Sequence, residues 1–262
     1  MRILFIGDVV GEMGRQLIQD RLPLLKKEYR PQLTIVNGEN AAHGRGITEK
    51  IYKQLLQAGA DVITLGNHAF DNHNIFDFIH DAKKLVRPAN YPVTEGQGMV
   101  MVQVNQHKVA VINLQGRTFM PAIDDPFAVV DQYVEEARKE TPFIFVDFHA
   151  ETTSEKQAMG YFLDGRVSAI CGTHTHVQTN DARILSQGTA YLTDVGMTGP
   201  EDSVLGMKKE AVIEKFRTAL PRRFEVMDQG EGILNYAVID LDDKTGRATK
   251  IEVDHWRSQE QR

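Results

Sequence analysis

Oxygen and nitrogen donors recur in this sequence wherever a short apolar stretch ends. The first such stretch, RILFI, leads to Asp8, and later ones lead to carboxylate, carboxamide and imidazole side chains. The full set is Asp8, Glu39, Asn40, Asn67, His68, His149, His174 and His176. These donors suit Mn, Fe or Zn, and cysteine is absent from the set. The pattern predicts a metal centre.

The spacing in GTHTH indicates that two of the histidines share one site. His174 and His176 are two residues apart, and side chains two apart on extended backbone face the same way. Taken singly, each donor also fits an ordinary role as a cap, a turn residue or a surface histidine. Repetition at successive strand ends is what favours a metal site. The other histidines are assigned the ordinary role: His43, His73, His80, His107 and His255.

Short apolar runs alternate with amphipathic stretches, which is typical of βαβ units in a largely parallel sheet. Ligands in such sheets bind beyond the carboxyl ends of the strands, where the donors stand. Strands are predicted at 2–6, 33–36, 61–65, 143–148 and 167–172. Helices are predicted at 14–29, 48–58 and 74–83, with another after a capping box that begins at Ser154.

Three further segments have the pattern of hairpins, namely 98–114, 182–196 and 233–256. Hairpins added to βαβ units predict an α/β fold in which two mixed sheets pack together with helices outside. The sequence has no convincing repeat or linker, so a single domain over 1–262 is expected.

The composition of the chain limits which partners and which cellular compartment are expected. The 42% hydrophobic and 25% charged residues are ordinary for a globular protein. A net charge of -6 argues against long nucleic acid, although bound metal could still attract a small phosphorylated ligand. Cys171 is the single cysteine, so no disulfide framework forms, and burial as a small hydrophobe is expected. Without a signal-peptide pattern or membrane span, a cytoplasmic protein is expected.

The donor blocks resemble those of the calcineurin-like metallophosphoesterases. That pattern is Asp-x-His, Gly-Asp, Gly-Asn-His, a lone His and Gly-His-x-His, and the chain matches its order over roughly residues 1 to 180. There are two departures. Val10 stands where the first block expects histidine, and Glu39 with Asn40 replaces the aspartate of the second. The blocks GDVVGEMGR, LGNHAFD and GTHTHVQT are similar to the YmdB-like branch, over most of the chain.

The resemblance implies a four-layer αββα sandwich and a phosphodiesterase that acts on cyclic nucleotides, notably 2',3'-cyclic AMP. It implies two transition-metal ions, Fe or Mn with Zn as the alternative, and in-line attack by a hydroxide that bridges them. Glu39 would be the ligand shared by both metals. The other implied ligands are Asp8, Asn40 and His176 for the first metal, and Asn67, His149 and His174 for the second.

The resemblance also implies that His68 protonates the departing ribose oxygen, and its alternative role is a third ligand or a hydrogen bond to phosphate. The loops 115–121 and 193–203 are expected at the rim of the pocket. Within the first loop, Arg117 is a candidate contact for phosphate and Phe119 for a base, with loop packing as the alternative for both.

Three other interpretations stay open. A dinucleotide-binding domain would use the opening glycines, but Gly7, Gly11 and Gly14 do not have the G-x-G-x-x-G spacing. A regulatory protein could bind a nucleotide at the metal site with little turnover. A phosphomonoesterase of broad specificity is the rival within the enzymes, and the sequence leaves homo-oligomerisation open.

Overall fold

The computed structural model describes residues 1–258, so the last four residues of the predicted 1–262 domain lie outside the described residues. The helices are α1 (Gly11–Tyr29), α2 (Glu49–Ala58), α3 (Pro126–Arg138), α4 (Thr153–Leu163) and α5 (Lys209–Thr218). The strands are β1 (Arg2–Ile6), β2 (Asp8–Val9), β3 (Leu33–Asn37), β4 (Val62–Thr64), β5 (Leu85–Val86), β6 (Met99–Val104), β7 (His107–Gln115), β8 (Ile144–His149), β9 (Ala169–Thr173), β10 (Arg183–Ile184), β11 (Ala190–Leu192), β12 (Met197–Pro200), β13 (Gly232–Leu241) and β14 (Ala248–Arg257). None of the helices described over 1–258 is long and apolar enough to cross a bilayer.

Two mixed sheets form the centre of the molecule. The first has the order β2-β12-β13-β1-β3-β4-β5, with β14 also paired to β13. The second has the order β10-β11-β9-β8-β7-β6. Parallel pairing joins β1, β3, β4 and β5 in the first sheet and β7, β8, β9 and β11 in the second. The predicted hairpins are confirmed as the antiparallel pairs β6–β7, β10–β11 and β13–β14.

The alternation of side chains along β1 shows how the layers are held together. Ile3 and Phe5 face the second sheet, and the ring centroids of Phe5 and Phe145 are 4.9 Å apart. Leu4 and Ile6 face the opposite way, into a core shared with α1 and α2. A third core joins the outer face of the second sheet to α3 and α4. Because both faces of the sheets are covered at their centre, strands such as β1, β3 and β8 are buried along nearly their whole length, and the predicted αββα arrangement is confirmed.

Two predictions about helices were wrong in detail. Residues 74–83 do not form an α-helix, because a short 3₁₀ helix, His73–Asp77, is followed by turns. Aromatic and β-branched residues in this stretch are weak helix formers, and the ring of Phe76 instead stacks on Phe70 with centroids 5.5 Å apart. The cap of α4 is Thr152 rather than Ser154, because the Thr152 hydroxyl accepts a hydrogen bond from the backbone N–H of Glu155 at 3.4 Å.

Candidate metal centre

The carboxyl ends of strands from both sheets meet at one edge of the molecule. Asp8 lies two residues after the end of β1 and begins β2, and Glu39 lies two residues after the end of β3. His149 is the last residue of β8 and pairs in register with Thr173, the last residue of β9. This shared edge is why donors that are distant in sequence lie together.

One group of donors surrounds the Nε2 atom of His149. Asn67 Oδ1 lies 2.9 Å from it, and Glu39 Oε1 and His174 Nδ1 each lie 3.1 Å from it. Glu39, His149 and His174 offer ligand atoms that all lie within 4.8 Å of one another. Gly66 lies against this group, and a Cβ there would collide with Glu39 and His149. Lone pairs that converge in this way form a candidate cation site.

A second group lies on the other side of Glu39. The amide of Asn40 places Nδ2 2.9 Å from Glu39 Oε1 and 3.1 Å from His176 Nε2. Asp8 Oδ1 is buried, has no hydrogen-bond partner, and lies 3.9 Å from His176 Nε2. An unpaired buried carboxylate oxygen is costly, and a cation would satisfy it. The residues present therefore fit a metal ion on this side as well.

Burial and neighbouring charges shift the pKa values of the site residues. Burial raises the pKa of Asp8 to about 6. Burial would lower the pKa of His149, but Glu39 and Asp8 raise it to about 9. Burial and the nearby His149 lower the pKa of His174 to about 3. Burial opposes ionisation of Glu39, yet His149 and His68 hold the pKa of its carboxyl below its usual range. Such displacement is typical of a functional site.

Buried hydrogen bonds orient the imidazole of His149. Its Nδ1 lies 2.8 Å from Thr173 Oγ1, which in turn donates to Asp147 Oδ1 at 2.7 Å. Asp147 is fully buried and also accepts from Thr64 at 2.5 Å and Asn37 at 3.0 Å. These hydrogen bonds fix the ring so that Nε2 of His149 faces the other donors of the site. Asp147 was not predicted from the sequence, although a carboxylate inside the apolar run FIFVDF was the signal that could have revealed it.

The His174–His176 turn brings its two histidines to different sides of the centre. Both residues have positive φ, 99° and 63°, so the predicted extended backbone is wrong, although both side chains line the same cavity. His174 lies beside His149, and Glu151 Oε2 is 2.9 Å from its Nε2. His176 lies beside Asn40 and donates from Nδ1 to the Leu205 carbonyl at 3.0 Å.

His68 stands at the opening of the site. Its backbone N–H donates to Glu39 Oε2 at 3.1 Å, and its Nδ1 lies 2.7 Å from Asp71 Oδ2. Arg45 Nη1 lies 3.9 Å from the same Asp71 oxygen. Asp71 and Arg45 were not predicted as site residues, although Asp71 follows His68 by three residues in the sequence.

A cavity of about 340 Å³ opens beside the donors, and its lining includes Glu39, His68 and His176. Arg117 and Phe119 are not among the described residues that line it. The guanidinium of Arg117 instead pairs with Asp125 at 3.3 Å, and the ring of Phe119 is 89% exposed.

Two other residues from the sequence analysis lie in the protein core. Val10 is fully buried against Gly199 and Gly206. Cys171 is buried in β9, as predicted, and burial raises the pKa of its thiol.

The two packed sheets, with carboxylates, carboxamides and histidines at their shared edge, define the calcineurin-like metallophosphoesterase fold. A sequence profile described as "YmdB-like protein" matches residues 4–253. The chain belongs to the YmdB-like family.

Three relatives extend this assignment. The chain is 60% identical over 253 residues to the 2',3'-cyclic-nucleotide 2'-phosphodiesterase of Bacillus subtilis, covering 96% of each protein. A crystal structure from Mycoplasma pneumoniae, titled as a novel phosphatase, has a TM-score of 0.92 at 38% identity, covering 98% of this chain and 93% of that one. A hypothetical protein from Thermus thermophilus has a TM-score of 0.91 at 40% identity, covering 98% and 99%.

Proposed function

We propose that this chain is a metal-dependent phosphodiesterase that hydrolyses 2',3'-cyclic nucleotides such as 2',3'-cyclic AMP. The observation that carries the proposal is the convergence of Glu39, His149 and His174 beside the unpaired Asp8 Oδ1. The B. subtilis relative, 60% identical, is named for this substrate class. The acting unit is proposed to be a single domain over 1–262. A cytoplasmic location fits its lone cysteine.

Two transition-metal ions, Fe or Mn with Zn as the alternative, are proposed to bind on either side of Glu39. When bound, they would generate a nucleophile at neutral pH and neutralise charge on the phosphoryl oxygens. Glu39 suits a shared ligand because its Oε1 lies 3.1 Å from His149 Nε2 and 2.9 Å from Asn40 Nδ2. The proposed ligands are Asp8, Asn40 and His176 on one side, and Asn67, His149 and His174 on the other.

Asn40 takes the place of the histidine that the superfamily has at Val10. Its amide nitrogen faces Glu39 and His176. Rotation of the amide by half a turn would present its oxygen to the same position, and that oxygen can bind a cation.

His68 is proposed to be the general acid. In the reaction a water molecule loses a proton to solvent and its oxygen forms a bond to phosphorus. The bond from phosphorus to the ribose oxygen breaks, and that oxygen takes a proton from His68, which is then reprotonated from solvent. The carboxylate of Asp71, 2.7 Å from His68 Nδ1, would keep the other nitrogen, Nε2, directed toward the cavity. The relative is named for the 2' bond, and the same bond is proposed to break here, leaving a 3' phosphate.

The test is a substrate panel. Chain reconstituted separately with Mn, Fe or Zn would be incubated with 2',3'-cyclic AMP, a linear dinucleotide and the 2' and 3' monophosphates, and products would be assigned by phosphorus NMR. The proposal expects hydrolysis of the cyclic substrate to the 3' monophosphate. Release of inorganic phosphate from the monophosphates alone would establish a monoesterase instead. Binding of the cyclic nucleotide without turnover by any metal form would favour the regulatory alternative.

A further inference from the structure

One side of the cavity is apolar. Its side chains all come from the segment 204–224, which supplies none of the proposed metal ligands. We call this side the apolar wall, and it consists of Val204, Leu205, Met207, Val212, Phe216 and Phe224. The rest of the lining includes Arg45, His68 and four of the proposed ligands, namely Glu39, Asn40, His174 and His176. The volume of about 340 Å³ lies near the lower end of the range for small-molecule sites, roughly 300–1,000 Å³.

Large apolar side chains of the wall remain in contact with solvent. Phe216 is 83% exposed, Leu205 45% and Phe224 37%. Single exposed hydrophobics are ordinary, but several that line one cavity beside a polar centre mark a binding surface. The ring of Phe224 is also held in place, because Lys215 Nζ lies 4.9 Å from its centroid.

The turn at 204–207 presents Leu205 at a conformational cost. Leu205 has φ of 54° and Gly206 has φ of 91°, and glycine or asparagine is the usual residue at the first of these positions. Two backbone hydrogen bonds of 2.9 Å between Val204 and Met207 hold the turn. The Leu205 carbonyl accepts from His176 Nδ1 at 3.0 Å. The wall is therefore fixed directly to a histidine of the metal centre, and backbone strain of this kind is characteristic of functional sites.

We propose that the apolar wall is the subsite for the nucleobase of the substrate, with Phe216 and Phe224 as its stacking surfaces. This inference rests on the proposed function, since it takes the phosphate to lie at the metal centre. The wall has no polar side chain that could form a hydrogen bond with the edge of a base. Recognition of the base by the wall therefore depends on the area of stacking. It should favour purines over pyrimidines and discriminate little between adenine and guanine.

The experiment compares a substrate that has a base with one that lacks it. The two are 2',3'-cyclic AMP and the 2',3'-cyclic phosphate of 1-O-methylribose, each with metal-reconstituted enzyme. Phe216→Ala and Phe224→Ala should each raise KM for cyclic AMP by about 5- to 100-fold, the range expected for loss of base stacking. Neither should change kcat/KM for the baseless substrate more than about twofold. Leu205→Asn keeps a residue that tolerates positive φ and should also raise KM for cyclic AMP.

Tyr161→Ala is the matched control, because Tyr161 is a 63% exposed aromatic residue on α4 that does not line the cavity. It should leave both substrates unaffected. Phe119→Ala tests the alternative base contact, and a KM effect from it without one from Phe216 or Phe224 would overturn the proposal.

Other outcomes separate this inference from the proposed function. Equal losses on both substrates, or wild-type enzyme that does not distinguish them, would overturn the subsite. A change in molar mass by light scattering for Phe216→Ala with unchanged KM would show instead that the wall contacts a second copy of the chain. If the wild type hydrolyses neither substrate, the proposed function fails. Equilibrium dialysis of adenosine 3'-monophosphate against wild type, Phe216→Ala and Phe224→Ala then tests whether the apolar wall binds the base, independently of turnover.

Discussion

Lys156 and Asp194 form a fully buried ion pair behind the His174–His176 turn. Lys156 Nζ lies 2.6 Å from Asp194 Oδ2, and the two side chains are 1% and 0% exposed. The same oxygen accepts from the backbone N–H of Thr175 at 3.0 Å and from its hydroxyl at 2.7 Å. Because Thr175 stands between the two histidines, the ion pair fixes the turn that carries both of them.

Replacement of Lys156 by Met should destabilise the protein by about 3–5 kcal/mol, because Asp194 would remain charged and buried without its partner. Urea denaturation at pH 7 measures the free energy of unfolding. The control is Lys53→Met, which removes the exposed pair with Glu49 on α2 and should cost about 0.5 kcal/mol or less. A similar loss in both variants would contradict the structural role assigned to the buried pair.

Glu39→Gln should reduce the metal content on both sides of the centre. A neutral amide replaces the carboxylate whose Oε1 lies beside both His149 and Asn40. Metal per chain would be measured by mass spectrometry after dialysis, with circular dichroism to confirm that the variant is folded. The control is Glu12→Gln on the exposed surface of α1. Wild-type metal content in Glu39→Gln would refute the shared ligand.

Asn40→Ala should loosen one metal more than the other, because the Asn40 amide lies beside His176 rather than His149. Competition with a chelator of known affinity would resolve two classes of bound metal in this variant. If both metal sites kept the wild-type affinity, Asn40 would not be a metal ligand.

His68→Ala should lower kcat for a nucleotide substrate by about 10²- to 10⁴-fold. A diester with a p-nitrophenolate leaving group needs no proton and should lose far less activity. Asp71→Asn should show the same selectivity with a smaller loss, because the role proposed for Asp71 is to orient His68, whose Nδ1 lies 2.7 Å from its carboxylate. Equal losses on both substrates in the His68 variant would exclude the acid role.

The strand-end donors were predictable because the carboxyl ends of parallel strands share an edge whatever the details of packing. Asp8, His149 and His174 could thus be grouped from the sequence alone. The residues that support them could not, because their partners are distant in the chain. Asp147 accepts a hydrogen bond from Thr64, 83 residues earlier, and Asp194 pairs with Lys156, 38 residues earlier.

The apolar wall was not predictable for a different reason. In sequence, residues 209–218 show an ordinary amphipathic pattern that fits any surface helix. Only the fold shows that Phe216 lies beside the metal centre instead of in a core. The backbone of the His174–His176 turn was likewise invisible, since positive φ at two histidines is imposed by their surroundings and not by local preference.

Val10→His restores the superfamily residue, yet it should lower stability by about 1–3 kcal/mol without a gain in metal content. Val10 is fully buried, and a Cβ on Gly206 would come within 2.7 Å of its Cγ1, so no room remains for an imidazole. Urea denaturation and metal analysis check the two parts. Val93→His, at a 36% exposed position, is the control and should be nearly neutral. A variant that binds more metal than wild type would show that Asn40 is an incomplete substitute for histidine.

Asp181→Asn should destabilise the protein in a pH-dependent manner. Asp181 accepts hydrogen bonds from the Thr179 hydroxyl at 2.7 Å and from the Thr193 hydroxyl at 2.6 Å. Burial opposes its ionisation, but these bonds hold its pKa below the ordinary 3.8. A lowered folded-state pKa means that the charged carboxyl stabilises the fold above about pH 4, and that this contribution disappears as the pH falls through the folded-state value.

The cost of Asp181→Asn should therefore be about 1–2 kcal/mol at pH 7 and should shrink on acidification. Urea denaturation of wild type and variant at pH 7 and pH 3 gives the two differences. Asp20→Asn, on the exposed face of α1, is the control and should change the free energy of unfolding by about 0.5 kcal/mol or less at pH 7. A constant difference between wild type and Asp181→Asn across this range would mean that the charge of Asp181 contributes nothing, and that its hydrogen bonds act as neutral ones.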